Sequence, residues 1–220
     1  TEDSDIGYYF PGKADIMALK EKRTGNWSAQ GTTEGEETNQ FATFWFEHGK
    51  KPSNAQYSYV ILPGKGVGET EQYAVAPDVE VLECSEDAHA VRENTLGITA
   101  VNFWNNKEKT AAGITSDRAS SVTMQTEGDI LTVGVSDPTQ EYQGEIHISL
   151  PYVGGEIVAK DANVEVTQTT PFIKLAVNTK GCVGSTSTLS IHVEKAAQCE
   201  IIGLAEEERV TILTYDGHTL

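Results

Sequence analysis

Short runs of alternating apolar and polar residues recur along this chain about every 8 to 12 positions, separated by turns rich in Gly. Ile146, Ile148 and Leu150 interleave with His147 and Ser149, and Ile173, Leu175 and Val177 repeat the pattern, as do Leu189, Ile191 and Val193. A period of two puts every second side chain on one face of an extended strand, and strands of this kind bury that face only by pairing into sheets that stack. Residues 41–47 are instead apolar at successive positions, as a strand covered on both faces requires. Residues 130–135 follow the turn Glu127-Gly-Asp, and the run 56–62 is closed by Pro63-Gly. The chain is therefore predicted to be all-β, built from antiparallel β-sandwich domains. Residues 15–23 form the one helix candidate, and they are as short as a strand.

Charge narrows the function classes. The chain has 220 residues, with 33 Asp and Glu against 16 Lys and Arg, for a formal net charge of −17. A surface this acidic, with no basic stripe, repels phosphate, so nucleic acid is not an expected partner. No stretch approaches the twenty apolar residues of a membrane span. Turn residues at Ala76-Pro77-Asp78 separate a less acidic first part, holding 7 basic and 12 acidic groups, from a second holding 9 and 21. Residues 1–78 read as the closing strands of one β domain, 79–195 as a complete small sandwich, and 196–220 as a linker or the start of a further module.

Three cysteines, Cys84, Cys182 and Cys199, are too few for a disulfide framework and match no metal or redox spacing. Free thiols are the expectation, with one bridge from Cys182 to Cys199 left open. The first residues, Thr1-Glu-Asp-Ser-Asp, carry no apolar leader, so the expectation is a removed signal or a piece of a longer protein. Residues 210–214 and the Asp216-Gly217 turn read as a hairpin whose second strand is cut off, which favours the piece.

Three stretches carry a resemblance. They are Gly7-Tyr-Tyr-Phe-Pro, Lys22-Arg-Thr-Gly-Asn-Trp, and the long run Phe44-Trp-Phe-Glu-His-Gly-Lys-Lys-Pro-Ser-Asn-Ala-Gln-Tyr-Ser-Tyr-Val-Ile-Leu-Pro. They resemble the back half of family-8 polysaccharide lyases, which comprise hyaluronate, chondroitin AC and xanthan lyases. Val79-Glu-Val-Leu-Glu, Gly97-Ile-Thr-Ala-Val-Asn-Phe-Trp and Val135-Ser-Asp-Pro-Thr-Gln resemble the small C-terminal domain of the same family. The segment after Ser28 lacks the Ile-Asn usual there, so the loop 29–39 is expected to differ locally. The resemblance implies β-elimination at a uronic acid by a secreted, bacterial and in some cases cell-surface enzyme. That chemistry needs neutralisation of the carboxylate, a base for the C5 proton and an acid for the leaving oxygen. In the family these groups lie on an N-terminal helical toroid, with a supporting Glu at the start of the central β domain. Both regions would precede Thr1, so no catalytic residue is carried over to this chain. The implied partners are an acidic polysaccharide, met through the whole enzyme, and the missing toroid and first half of the central domain.

Within the chain, the most informative cluster is Lys20, Lys22, Arg23 and Trp27. A very acidic protein that meets a polyanionic sugar needs its positive charge focused locally. Arg offers a fork matched to a carboxylate, and Trp offers a flat apolar face to a sugar ring. Arg23, Trp27 and Lys22 are the candidate substrate-binding residues, against the plainer reading of Trp27 as core and 20–23 as an exposed strand. His48 with Tyr57 or Tyr59 could be drawn as a base and acid, but the tight turn after Glu47 favours a backbone-bonded histidine. Phe44, Trp45 and Phe46 read as core, as do Phe103 and Trp104. His147, His192 and His218 fall on polar faces or in a turn without ligand spacing, and no cofactor motif is present: Pro63-Gly-Lys-Gly-Val-Gly lacks the Lys-Ser/Thr of a phosphate loop and reads as a mobile Gly loop. Two functions remain, a non-catalytic C-terminal region of a lyase and an independent carbohydrate-binding or adhesion module.

Overall fold

The computed structural model describes residues 5–12, 15–31 and 34–194. The linker expected at 196–220, Cys199 and His218 lie outside the described residues. The chain divides into two compact units, Thr1–Pro77 and Asp78–Leu220.

In the first unit, β1 (Ile6–Tyr9) pairs antiparallel with β4 (Val60–Pro63), and β2 (Ile16–Asn26) with β3 (Glu36–Phe46), which lie between them in the chain. Residues 15–23 are thus strand rather than helix: their alternating Leu19, Glu21 and Arg23 sit in continuous register with Thr43, Phe41 and Asn39. Only the last part of the run 56–62 is paired, from Val60 onward against β1, and Tyr57 and Tyr59 stack their rings ahead of the strand. The Gly-rich stretch after Pro63 is also not a plain loop. It leads into α1 (Val67–Val75), whose first turn is fixed by Glu69 accepting from the Gly66 N–H at 3.2 Å and from Lys65 Nζ at 3.0 Å. Gly7 is where α1 meets β1: a side chain there would occupy the place of the Thr70 hydroxyl.

The second unit is a two-sheet antiparallel sandwich. Its strands are β5 (Val79–Cys84), β6 (Ala88–Glu93), β7 (Ile98–Phe103), β8 (Lys109–Ala111), β9 (Ile114–Ser116), β10 (Ser120–Glu127), β11 (Ile130–Ser136) and β12 (Glu145–Leu150). They continue with β13 (Val153–Lys160), β14 (Val164–Gln168), β15 (Ile173–Asn178) and β16 (Ser187–Glu194). One sheet has the order β13-β16-β11-β10-β7-β6-β5, the other β14-β15-β12-β9-β8. The alternation legible in the sequence is the packing itself. Ile146, Ile148, Leu150, Ile173 and Leu175 from the smaller sheet meet Val101, Val122, Leu131, Leu189 and Ile191 from the larger, each at most 2% exposed. Among the described residues this unit contains no helix.

Loop closure in the sandwich depends on one buried carboxylate. Asp137, 4% exposed, accepts from the Thr139 hydroxyl at 2.7 Å, the Thr139 N–H at 3.0 Å and the Tyr142 N–H at 2.9 Å. These bonds fold residues 137–142 back so that Tyr142 lies against the core, with the Arg118 guanidinium over its ring. Cys84 and Cys182 are free thiols, each half-buried.

Two expectations about the core need correction. Phe103 is 1% exposed, but its neighbour Trp104 is 46% exposed, because alternation turns it outward as soon as Phe103 points in. In the first unit Phe44 and Trp45 are 45% and 38% exposed, since nothing in that unit covers both faces of the β2–β3 ribbon.

Candidate functional site

The β2–β3 ribbon sorts the candidate residues by face. Cross-strand partners share a face, so Arg23, Asn39, Glu21 and Phe41 lie together, and Lys22 with Gln40 and Lys20 with Ala42 lie on the other side. At the ribbon's tip Asn26 caps a short 3₁₀ turn, Trp27–Gln30, by accepting from the Ser28 N–H at 2.9 Å. The turn closes at Gly31, whose φ of +73° is the left-handed conformation that favours glycine. The Trp27 N–H bonds to the Gly35 carbonyl at 3.0 Å, and the indole edge sits over Gly35.

These features enclose an open depression of about 390 Å³ lined by Arg23, Asn26, Trp27, Gln30, Glu37, Asn39 and Phe41, with parts of Thr24 and Gly25. Arg23 and Trp27 therefore meet in one place, and Lys22 does not join them. Arg23 is already held. Its Nε donates to Glu21 Oε1 at 2.7 Å and its Nη2 to Thr43 Oγ1 at 3.2 Å, while the guanidinium lies 5.3 Å from the centre of the Phe41 ring. An incoming carboxylate must compete with Glu21, but it meets a guanidinium whose fork is oriented beforehand. Asn39 and Gln30 add amide donors and acceptors to the same depression. Sequence reading missed them because a lone amide on a strand or turn has no periodic signature. Asn39 was nevertheless accessible by counting pairs across the hairpin from Arg23.

A second groove, of about 600 Å³, runs along the opposite, aromatic side of the unit. Phe46 and Tyr57 stack at 5.0 Å and Tyr57 and Tyr59 at 6.4 Å, and Tyr8 packs on Phe44 at 5.1 Å. His48 and Tyr57 do come together, 6.3 Å between ring centres, but as members of this stack. Among the described residues no hydrogen bond joins that imidazole to a phenol or to the backbone, so the backbone-bonded histidine expected from the turn is also not seen. His147 bonds to Asp117 at 2.8 Å and also pairs with Glu145 at 3.6 Å, and His192 bonds to Asp129 at 2.9 Å. Among the described residues no three His, Cys, Asp or Glu side chains converge as metal ligands.

The described residues of the depression offer a charged fork, an indole, amides and the Glu37 carboxylate, and no paired acid and base stands among them. Comparison with known proteins gives this a context. The description "Polysaccharide lyase family 8, super-sandwich domain" matches residues 2–74, and "Polysaccharide lyase family 8, C-terminal beta-sandwich domain" matches residues 80–145. The chain belongs to polysaccharide lyase family 8. Within the family it is similar to the xanthan lyase of Bacillus sp. strain GL1, 38% identical over 197 residues, which is 87% of this chain and 21% of that protein. It is also similar to hyaluronate lyase HylB of Enterococcus faecalis, 29% identical over 193 residues, 86% of this chain and 19% of that protein. The solved Paenibacillus xanthan lyase superposes with a TM-score of 0.79 at 37% identity, over 88% of this chain and 19% of that one. The chondroitin AC lyase of Streptomyces coelicolor A3, solved in complex with chondroitin sulphate, superposes with a TM-score of 0.72 at 28% identity, over 81% and 24% of the two chains. The chain thus spans about a fifth of the length of these two curated relatives.

Proposed function

We propose that this chain is the non-catalytic C-terminal β region of a secreted bacterial lyase that cleaves a uronic-acid-containing polysaccharide by β-elimination. In this reading the first unit borders the substrate cleft of the whole enzyme, and the sandwich supports it. The observation that carries the reading is the depression in which Arg23 and Trp27 meet. It provides a fork for a carboxylate and a face for a pyranose ring, the two chemical features of a uronic acid residue. Binding without proton transfer is what it can contribute. A base for the C5 proton and an acid for the leaving oxygen would have to come from elsewhere in the enzyme. The exposed apolar faces of the β2–β3 ribbon support the same reading, since a super-sandwich domain stacks further sheets on such faces.

The isolated chain should therefore be inert. Incubated with hyaluronan, chondroitin sulphate or a xanthan-derived oligosaccharide, it is expected to give no unsaturated product absorbing in the near ultraviolet. Steady turnover by the purified chain would place an active site within these residues and end the proposal.

A further inference from the structure

The sandwich carries a second surface suited to a sugar, separate from the depression of the first unit. We infer that Trp104, with Asp87 and Asn105, forms a binding subsite for a neutral pyranose unit. Trp104 is 46% exposed where the preceding Phe103 is 1% exposed, yet it is fixed rather than loose. Its backbone N–H donates to the Asp87 carbonyl at 3.0 Å, and its indole meets the His89 ring edge to face, 5.2 Å between centres. A ring held in place beforehand binds without the ordering cost that a mobile one would pay.

The polar fringe is likewise preset. Asn105 Nδ2 donates to Asp87 Oδ1 at 2.7 Å and to the Glu86 carbonyl at 3.1 Å. Lys107 Nζ takes the same Asp87 oxygen at 2.7 Å. Asp87 Oδ2 and Asn105 Oδ1 take no hydrogen bond from the described residues, which leaves two acceptors for sugar hydroxyls, one on the residue after Trp104 and one on the residue its backbone N–H bonds to. Beyond Trp104 the outer face of the larger sheet carries several short polar side chains, with Val91 and Gln125 also on it. Asn102 pairs with Ser121, whose hydroxyl donates to it at 2.7 Å, and Thr123 and Thr132 follow on the same face. No long side chain of these four positions obstructs a glycan lying across them.

Charge decides the class of ligand. Lys107 is committed to Asp87, and Lys109 to Glu83 at 2.7 Å. The fringe beside Trp104 thus presents acceptors and acidic groups, which welcome hydroxyl donors and repel a carboxylate. The subsite fits a neutral hexose, where the depression around Arg23 fits a uronate.

The test uses the 220-residue chain and cellohexaose as a neutral β-linked probe. Indole N–H signals in proton–nitrogen NMR spectra, assigned with single Trp→Phe variants, report each tryptophan separately. The Trp104 signal is expected to shift and saturate with a dissociation constant on the order of 1 mM, while the Trp27 and Trp45 signals stay in place. Trp104→Ala is expected to weaken binding by about tenfold or more. Asn105→Ala removes an exposed amide together with its bonds to Asp87 and the Glu86 carbonyl, leaves the indole in place, and is expected to weaken binding by about threefold, so the test does not hang on the tryptophan variant. A hexasaccharide of hyaluronan is expected to bind more weakly than cellohexaose at this signal. An unmoved Trp104 signal, unchanged affinity in both variants, or a preference for the hyaluronan fragment would each overturn the assignment. None of these outcomes bears on Arg23, so this inference and the cleft reading fail separately.

Discussion

Purified without the rest of an enzyme, the chain is expected to self-associate through its first unit. Met17, Leu19, Phe41, Phe44 and Trp45 on the β2–β3 ribbon are 38–50% exposed, and Tyr57, Tyr59 and Ile61 nearby are 47–58% exposed. Folded monomers seldom leave contiguous apolar surface of this kind uncovered. At about 25 cal/mol per Å², covering even about 400 Å² is worth roughly 10 kcal/mol, comparable with the stability of a whole domain. Two-stranded ribbons are also marginal alone in water. Light scattering is expected to report dimers or larger species at micromolar concentration. In whatever fraction stays monomeric, the amides of residues 41–46 are expected to exchange far faster than those of residues 146–150 in the sandwich. A monomer with equal protection at both places would show that the first unit needs no covering layer.

Replacing Asp137 with Ala is expected to destabilise the sandwich by about 2–4 kcal/mol, because it strips the Thr139 and Tyr142 N–H groups of their acceptor in a nearly buried loop. The same carboxylate makes stability depend on pH. Burial pushes its pKa up, but the Thr139 hydroxyl and the N–H groups of Tyr142, Thr139 and Glu141 outweigh burial and hold it below the ordinary carboxylate value. A group whose pKa is lower folded than unfolded contributes fully above its unfolded pKa, and its contribution is lost as pH falls through the folded value. Stability of the sandwich is therefore expected to fall as pH drops below about 4. Asp137→Asn should be less stable at neutral pH and show a shallower acid dependence. Chemical denaturation at pH 7 and pH 3 measures both. An Asp137→Asn protein as stable as the parent at pH 7 would remove the carboxylate from its role in the loop.

The sequence was most legible where local pattern and burial coincide. The alternations at Ile146–Leu150, Ile173–Val177 and Leu189–Val193 each became a core strand, because a sandwich supplies an inner and an outer face to every strand. It was least legible where burial depends on what lies opposite. Phe44, Trp45 and Trp104 have the composition of core residues and differ from Phe103 only in what covers them. The helix at Val67–Val75 was hidden by its opening glycines, although Glu69 three residues after Gly66 was a readable cap signal. In the candidate depression the residue types of Arg23 and Trp27 are informative, whereas Lys22, one residue from Arg23, is carried to the other face by strand alternation.

Under the proposed function, Arg23→Ala in a family 8 lyase carrying these residues separates substrate binding from chemistry. In the proposed function this region binds substrate and leaves the chemistry to other groups. Losing a charge-assisted contact of this kind is expected to raise KM about tenfold on a uronic-acid polysaccharide, with kcat within about twofold of the parent. A collapse of kcat would put Arg23 in the reacting centre, and unchanged KM and kcat would take the depression out of the cleft.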